Sequence, residues 1–157
     1  MIGIVIVTHG NLGSALVDTA EFIVGTSLKS VKTVSVIPEE PAENLRKKVD
    51  SAIRSVNQRK GVLIFTDMFG GTSSDMSYSF LETGKTDVIS AVNLPILLRA
   101  VTAREHLDFI ELGKYLTNYG KKNISLASEI LKGQKRSEKT SYKFERKEIS
   151  NVANSMC

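Results

Sequence analysis

A chain of 157 residues with 41% hydrophobic and 24% charged side chains can bury one ordinary core without disulfides or a structural metal. Its single cysteine, Cys157, excludes an intrachain disulfide and a cysteine metal cluster, and points to a reducing compartment. The net charge of +4 is local: residues 132–157 hold seven Lys/Arg and three Asp/Glu, leaving fourteen of each sign in residues 1–131. A neutral ordered part argues against a nucleic-acid-binding face, which would carry its positive charge on folded structure.

The first apolar run, Ile2–Val7, is β-branched and reads as a strand buried on both faces. It is too short to span a membrane or to form a signal-peptide core, and no basic region precedes it. A soluble cytoplasmic protein is therefore expected. The run stops at Thr8-His9-Gly10, where a helix is due to begin. Leu12, Leu16, Ala20 and Ile23 then recur at helical spacing and predict one apolar stripe, with Asp18 and Glu21 on the exposed side.

A second strand is predicted at Thr33–Ile37. Pro41 suits a helix start, because a first-turn residue needs no N–H. Leu45, Val49, Ala52 and Val56 form the next stripe, and Gly61 is placed to end that helix. Val62–Thr66 reads as the third strand, and Thr72–Thr83 as a short helical segment carrying Met76, Phe80 and Leu81. Val88–Val92 reads as the fourth strand, and Pro95 begins a helix after it. Leu94, Ile96 and Leu97 read as a partner-facing or dimer surface. A longer helix is expected from Asp108 to Leu131, interrupted near Gly120, with Leu112, Leu116 and Tyr119 on its inner stripe.

Strands that alternate with helices predict an α/β domain: a three-layer, doubly wound, mainly parallel sheet of four strands with helices on both faces. The expected strand order is 2-1-3-4. The predicted domain covers residues 1–131. Residues 132–157 form a basic polar tail, read as partly disordered or as carrying a short strand near Ser141–Phe144.

In such sheets, function gathers beyond the carboxyl ends of the strands, where strand order reverses. Strands one and three meet there. The first ends in THGNLGS, the third in TDMFGGTSSD. Asp67 falls in the same layer as His9. A carboxylate beside an imidazole fixes Nδ1–H toward itself and leaves Nε2 free. Gly10 lets the backbone turn, and Gly10, Gly70, Gly71 and Thr72 are expected to receive the phosphoryl oxygens through amides and a hydroxyl. Simpler readings stand beside these: His9 as a loop or cap residue, and Thr72 or Ser73 as an ordinary N-cap. Arg99 and Arg104 are candidates to bind an acidic ligand, and His106 reads as a solvated helix-end histidine. The chain has no GxGxxG, P-loop, GxSxG, HExxH or CxxC signature, so no nucleotide, metal or other cofactor is expected. A plain flavin-binding domain of the same fold is a competing class.

GIVIVTHGNLGSAL, TDMFGGTSSD and VNLPILL together resemble the mannose-family IIA component of the bacterial phosphoenolpyruvate-dependent sugar phosphotransferase system. The likeness covers nearly all of residues 1–131. It implies a histidine phosphocarrier in which His9 takes a phosphoryl group from phospho-HPr and passes it to a IIB cysteine. Asp67 matches the carboxylate that orients the histidine, and Thr72 stands where a serine is familiar. Phe69 would help form the rim facing HPr or IIB. The resemblance also implies a homodimer that exchanges a fifth, antiparallel C-terminal strand. With no IIB segment in the chain, the acceptor is expected to be a separate protein, and membrane IIC and IID components are met only indirectly. The alternative is a stand-alone regulator whose His9 phosphorylation state signals to partner proteins. The sugar is not identified.

Overall fold

A computed structural model of the chain describes residues 1–131. The expected C-terminal strand and the tail at 132–157 lie outside the described residues. The chain divides into two units, Met1–Lys121 and Lys122–Cys157, and the architecture below belongs to the first.

Four strands, β1 (Gly3–His9), β2 (Val31–Val36), β3 (Val62–Thr66) and β4 (Thr86–Ile89), form one sheet. Their order is β2-β1-β3-β4 and every pair is parallel, as the alternating pattern predicts. Cover on both faces explains why β1 is apolar from Ile4 to Val7, before Thr8 and His9. Ile4 and Ile6 face one layer with Leu63 and Phe65, while Val5 and Val7 face the other with Val62 and Ile64. Phe65 is fully buried, a contribution of about 1.5–3 kcal/mol.

The first layer is filled by α1 (Leu12–Val24), α4 (Leu94–Ala103) and α5 (Phe109–Lys122), the second by α2 (Ala42–Val56) and α3 (Thr72–Tyr78). In α2 the predicted stripe holds in full: Leu45, Val49, Ala52 and Val56 are all buried. Pro41 is its N-cap, and its carbonyl accepts the N–H groups of Asn44 and Leu45. Pro95 sits in the first turn of α4.

Several expectations need correction. In α1 the buried positions are Gly13 and Ala20, with Leu16 and Val17 packed partly against the core, whereas Leu12 and Ile23 are 46% and 51% exposed. Glu21 is half-buried because its carboxylate accepts the Leu28 N–H. The helix ends at Val24, where Gly25 adopts the left-handed conformation and donates its N–H to the Glu21 carbonyl. Helix α2 ends at Val56 rather than at Gly61, and Gly61 serves instead as the residue on which the Phe109 ring packs. Strand β4 lies earlier than Val88–Val92. Its pairing begins at Val62↔Thr86, and after Ile89 the chain turns through Ala91 at φ 63°. Val92 then returns its N–H to the Thr66 carbonyl.

Ile96 and Leu97 are buried in the core rather than presented to a partner. Gly120 does not interrupt the last long helix. It lies inside α5 with Ile96 packed against it, so a Cβ there would come within 2.3 Å of the Ile96 side chain. Leu112 and Leu116 are fully buried as predicted. In the second unit, a short helix, α6 (Ala127–Leu131), follows the end of α5 after a non-helical stretch.

Candidate functional site

Strand β1 runs through His9, its last residue, which pairs in register with Val36 of β2. The histidine is therefore held by the sheet and not by a loose loop. Immediately beyond it, Gly10 turns at φ 55° and donates its N–H to the Val36 carbonyl. Nothing lies within 4 Å of where a Gly10 Cβ would stand, so the residue contributes open space beside the imidazole while its amide is engaged. Two residues before the start of that turn, the Thr8 hydroxyl accepts the Gly13 N–H at 2.8 Å. It thereby ties the first turn of α1 to the end of β1.

Asp67 is the first residue after β3, the neighbouring strand on the other side. The sheet order brings it to His9 across a sequence separation of 58. One carboxylate oxygen, Oδ2, accepts two bonds from the same residue: the His9 backbone N–H at 2.8 Å and the ring at Nδ1, also at 2.8 Å. The other oxygen, Oδ1, accepts the Met68 N–H at 3.1 Å and the Ser73 hydroxyl at 2.9 Å. The Asp67 side chain is 12% exposed and that of His9 48%.

The protonation states follow from this arrangement. Burial pushes the Asp67 carboxyl upward, but the His9 backbone and ring donors, the Ser73 hydroxyl and the charge of His9 together outweigh it. The net effect holds Asp67 below the usual carboxylate range. An ionised carboxylate only accepts, so the proton between the two side chains sits on His9 Nδ1. In the neutral ring Nε2 then carries the lone pair, on a side chain half open to solvent.

The loop after Asp67 is built to hold a fixed shape. Gly70 and Gly71 adopt φ 76° and 94°, and nothing lies within 4 Å of a Cβ at either position. Two successive residues in this region expose backbone N–H groups that side chains would otherwise cover. Beneath the loop lies a set of hydroxyls. Ser74 donates to the Met68 carbonyl, and Thr66 Oγ1 lies 3.2 Å from the same oxygen and 3.1 Å from Ser90 Oγ. The Tyr78 hydroxyl reaches Ser90 at 3.2 Å. These bonds explain why Ser73, Ser74 and Ser77 can be fully buried in a helix that otherwise looks too polar for a core.

Residue Gly71 is the N-cap of α3, and no side chain caps that helix. The ordinary capping role considered for Thr72 or Ser73 therefore does not apply. Thr72 is exposed at the start of α3. Phe69 stands out at the rim, 80% exposed, with its ring 6.2 Å from that of Tyr78. Leu12 at the start of α1, and Ile37 and Met68 in the connections after β2 and β3, are other exposed apolar side chains at this edge of the sheet.

Two candidates fall outside the site. Arg104 is buried at the opposite edge, where its guanidinium donates to the carbonyls of Ile2, Lys29 and Ser30. Seven residues of β1 at about 3.3 Å each put roughly 20 Å between that cluster and His9. Burial lowers the Arg104 pKa, and the nearby Glu105 charge opposes that. The residue joins strand ends and binds no ligand at the His9 site. Arg99 bonds the Tyr115 hydroxyl and lies 5.1 Å above that ring and 5.8 Å above Tyr119, which joins α4 to α5. His106 is exposed, and its backbone N–H donates to the Ala103 carbonyl. What the sequence reading missed is the pair of bonds to Asp67 Oδ1, from Met68 and Ser73. A serine six residues after an aspartate, across a Gly-Gly turn, is the only signal it left.

Comparison with known proteins identifies the family of the chain. The family model EIIA-man, described as PTS system fructose IIA component, matches residues 3–115. The chain is 31% identical over 132 residues to the PTS system fructose-specific EIIA component of Bacillus subtilis, covering 83% of this chain and 90% of that protein. It is 33% identical over 105 residues to the PTS system mannose-specific EIIAB component of Escherichia coli K12, covering 66% of this chain and 32% of that longer protein. Among solved structures, the phosphotransferase system component EIIA from Streptococcus agalactiae superposes with a TM-score of 0.73 at 26% identity, over 82% of this chain and 98% of that one. No described helix is long and apolar enough to cross a membrane.

Proposed function

The chain belongs to the EIIA-man family of the sugar phosphotransferase system, and from that premise we propose that it is a histidine phosphocarrier acting through His9. The observation that carries the reading is the 2.8 Å contact between His9 Nδ1 and Asp67 Oδ2, on a ring that is half exposed. Phospho-HPr is the donor. His9 Nε2 attacks its phosphorus, the bond to the donor nitrogen breaks, and a P–Nε2 bond forms. As the ring gains positive charge, Asp67 stabilises it through Nδ1–H. A cysteine thiolate of a separate IIB protein then attacks the phosphorus, and His9 leaves as the neutral ring.

Little else is required chemically, because phosphoryl transfer between preformed groups depends on positioning and charge stabilisation. Gly70, Gly71 and Thr72 receive the phosphoryl oxygens through loop amides and a hydroxyl, while Gly10 keeps the approach to the ring clear. Phe69 lies at the rim where donor and acceptor dock. The reaction needs no nucleotide or metal and takes place in the cytoplasm, with membrane IIC and IID components reached only through IIB. The protein works as a homodimer. The outer edge of β4 supports this, since β4 has one neighbour in the described sheet and can accept another strand.

Incubation with phosphoenolpyruvate, Enzyme I and HPr is expected to give an acid-labile phosphoprotein, and His9→Ala to abolish it. Equal labelling of His9→Ala would exclude His9 as the acceptor. Transfer of the label to the cysteine of a IIB protein from the same genome tests the second step. A stable His9 phosphoprotein that no IIB protein discharges would favour a regulatory role.

A further inference from the structure

Among the described residues, every donor to Asp67 is backbone or His9 itself, except one: the Ser73 hydroxyl, fully buried in the first turn of α3 and 2.9 Å from Oδ1. We propose that Ser73 is a positioning residue for the His9–Asp67 pair, fixing the carboxylate plane so that Oδ2 meets the His9 ring.

The geometry gives the reason. Asp67 follows the last strand residue, so its carboxylate can turn about Cβ–Cγ unless both oxygens are held. Oδ2 is held by His9, the group it must orient, which cannot also serve as the fixed reference. On Oδ1 the Met68 N–H, at 3.1 Å, belongs to the next residue and moves with Asp67. Ser73 is the donor that connects Oδ1 to a separate packed element. Its own backbone carbonyl accepts the Ser77 hydroxyl at 2.6 Å, which steadies the turn that carries it. His9 is the titratable group in contact with the carboxylate, while Asp75 of α3 is exposed. Removal of the Ser73 hydroxyl leaves Oδ1 with one donor and lets the carboxylate rotate away from the ring.

The transfer arm of the test rests on the phosphocarrier reading, while the spectroscopic arm does not. In Ser73→Ala, nitrogen NMR of the His9 ring is expected to change from a single Nδ1–H tautomer to a mixture. The Asp67 carboxyl, followed by carbon NMR, is expected to titrate about one unit higher than in the unsubstituted protein. Phosphoryl acceptance from phospho-HPr falls about tenfold. Ser90→Ala removes a nearby half-buried hydroxyl with no bond to Asp67 or Ser73 and is expected to leave both NMR signals in place. If Ser73→Ala does not fold, Ser73→Cys fills the same space with a weaker donor and is expected to raise the Asp67 titration in the same direction. Unchanged Asp67 titration and His9 tautomer in the folded variant overturn the proposal, as does an unchanged transfer rate where the unsubstituted protein is labelled. If the unsubstituted protein takes no label on His9, the phosphocarrier reading fails, and the NMR arm still decides the role of Ser73.

Discussion

Replacement of Asp67 by Asn keeps the size of the side chain and removes its charge. Asp67 accepts four hydrogen bonds, two on each oxygen. An asparagine has one acceptor atom. If its oxygen takes the Oδ2 position, it still accepts both His9 donors, and its NH2 group faces the Met68 N–H and the Ser73 hydroxyl. Ser73 can rotate to accept, but the Met68 N–H meets another donor. If the amide turns the other way, its NH2 faces Nδ1 and moves the ring proton to Nε2, which removes the nucleophilic lone pair. In the better orientation the transfer rate loses the charge-assisted part of a single ring contact. Such bonds contribute about 1.5–3 kcal/mol, and the 48% exposure of the His9 side chain favours the lower figure. At about 1.4 kcal/mol per tenfold, acceptance of phosphoryl from phospho-HPr is expected to fall about 10–30-fold. The unmatched Met68 N–H lies in an exposed loop, so its loss destabilises the fold by no more than about 1 kcal/mol. Initial rates of labelled phosphoryl incorporation, measured on protein shown to be folded by circular dichroism, test the rate. A rate within about twofold of the unsubstituted protein refutes the role assigned to the carboxylate.

The pH dependence has a fixed sign. Asp67 has a lowered pKa in the folded protein, so its contribution to stability is full above the unfolded carboxylate value and is lost as pH falls through the folded value. Urea midpoints should therefore converge for the unsubstituted protein and Asp67→Asn as pH falls below the ordinary carboxylate value of about 4, and parallel curves there would contradict the assignment. Phe69→Ala removes a ring that is 80% exposed, so stability should change by no more than about 0.5 kcal/mol while KM for phospho-HPr rises; an unchanged KM removes Phe69 from the docking rim. Gly61→Ala forces a Cβ to within 2.4 Å of the Phe109 ring at a φ of 91°, and should lower stability by about 2–4 kcal/mol in denaturant titration; a neutral effect would show that Phe109 repacks freely.

Much of this protein is legible in its sequence. The strand runs at β1 and β3 are mostly apolar because both faces of a parallel sheet are covered there, whereas β2, at the sheet edge, mixes valines with Lys32, Thr33 and Ser35. The α2 stripe is unambiguous because its apolar residues stand among charged ones. His9 and Asp67 are legible for a different reason: strand ends in this topology converge on one edge, so two marked ends predict one site.

Packing decided the rest. Helix α1 is apolar around most of its surface, so spacing cannot choose its inward face. The close approach of Gly13 to Thr8 sets that rotation and turns Leu12 and Ile23 outward. Leu94, Ile96 and Leu97 look alike in sequence, and only the position of α4 against α5 sends Ile96 and Leu97 inward. A cation such as Arg104 reads as surface chemistry until three carbonyls at the starts of β1 and β2 are found around it. Ser73 is the sharpest case. The partners of the His9–Asp67 pair are chosen by distance in space, and a hydroxyl leaves no periodicity in the chain. The sequence determined which elements form and where their chemistry gathers; only the folded chain decided which faces turn inward and which hydroxyl holds the carboxylate.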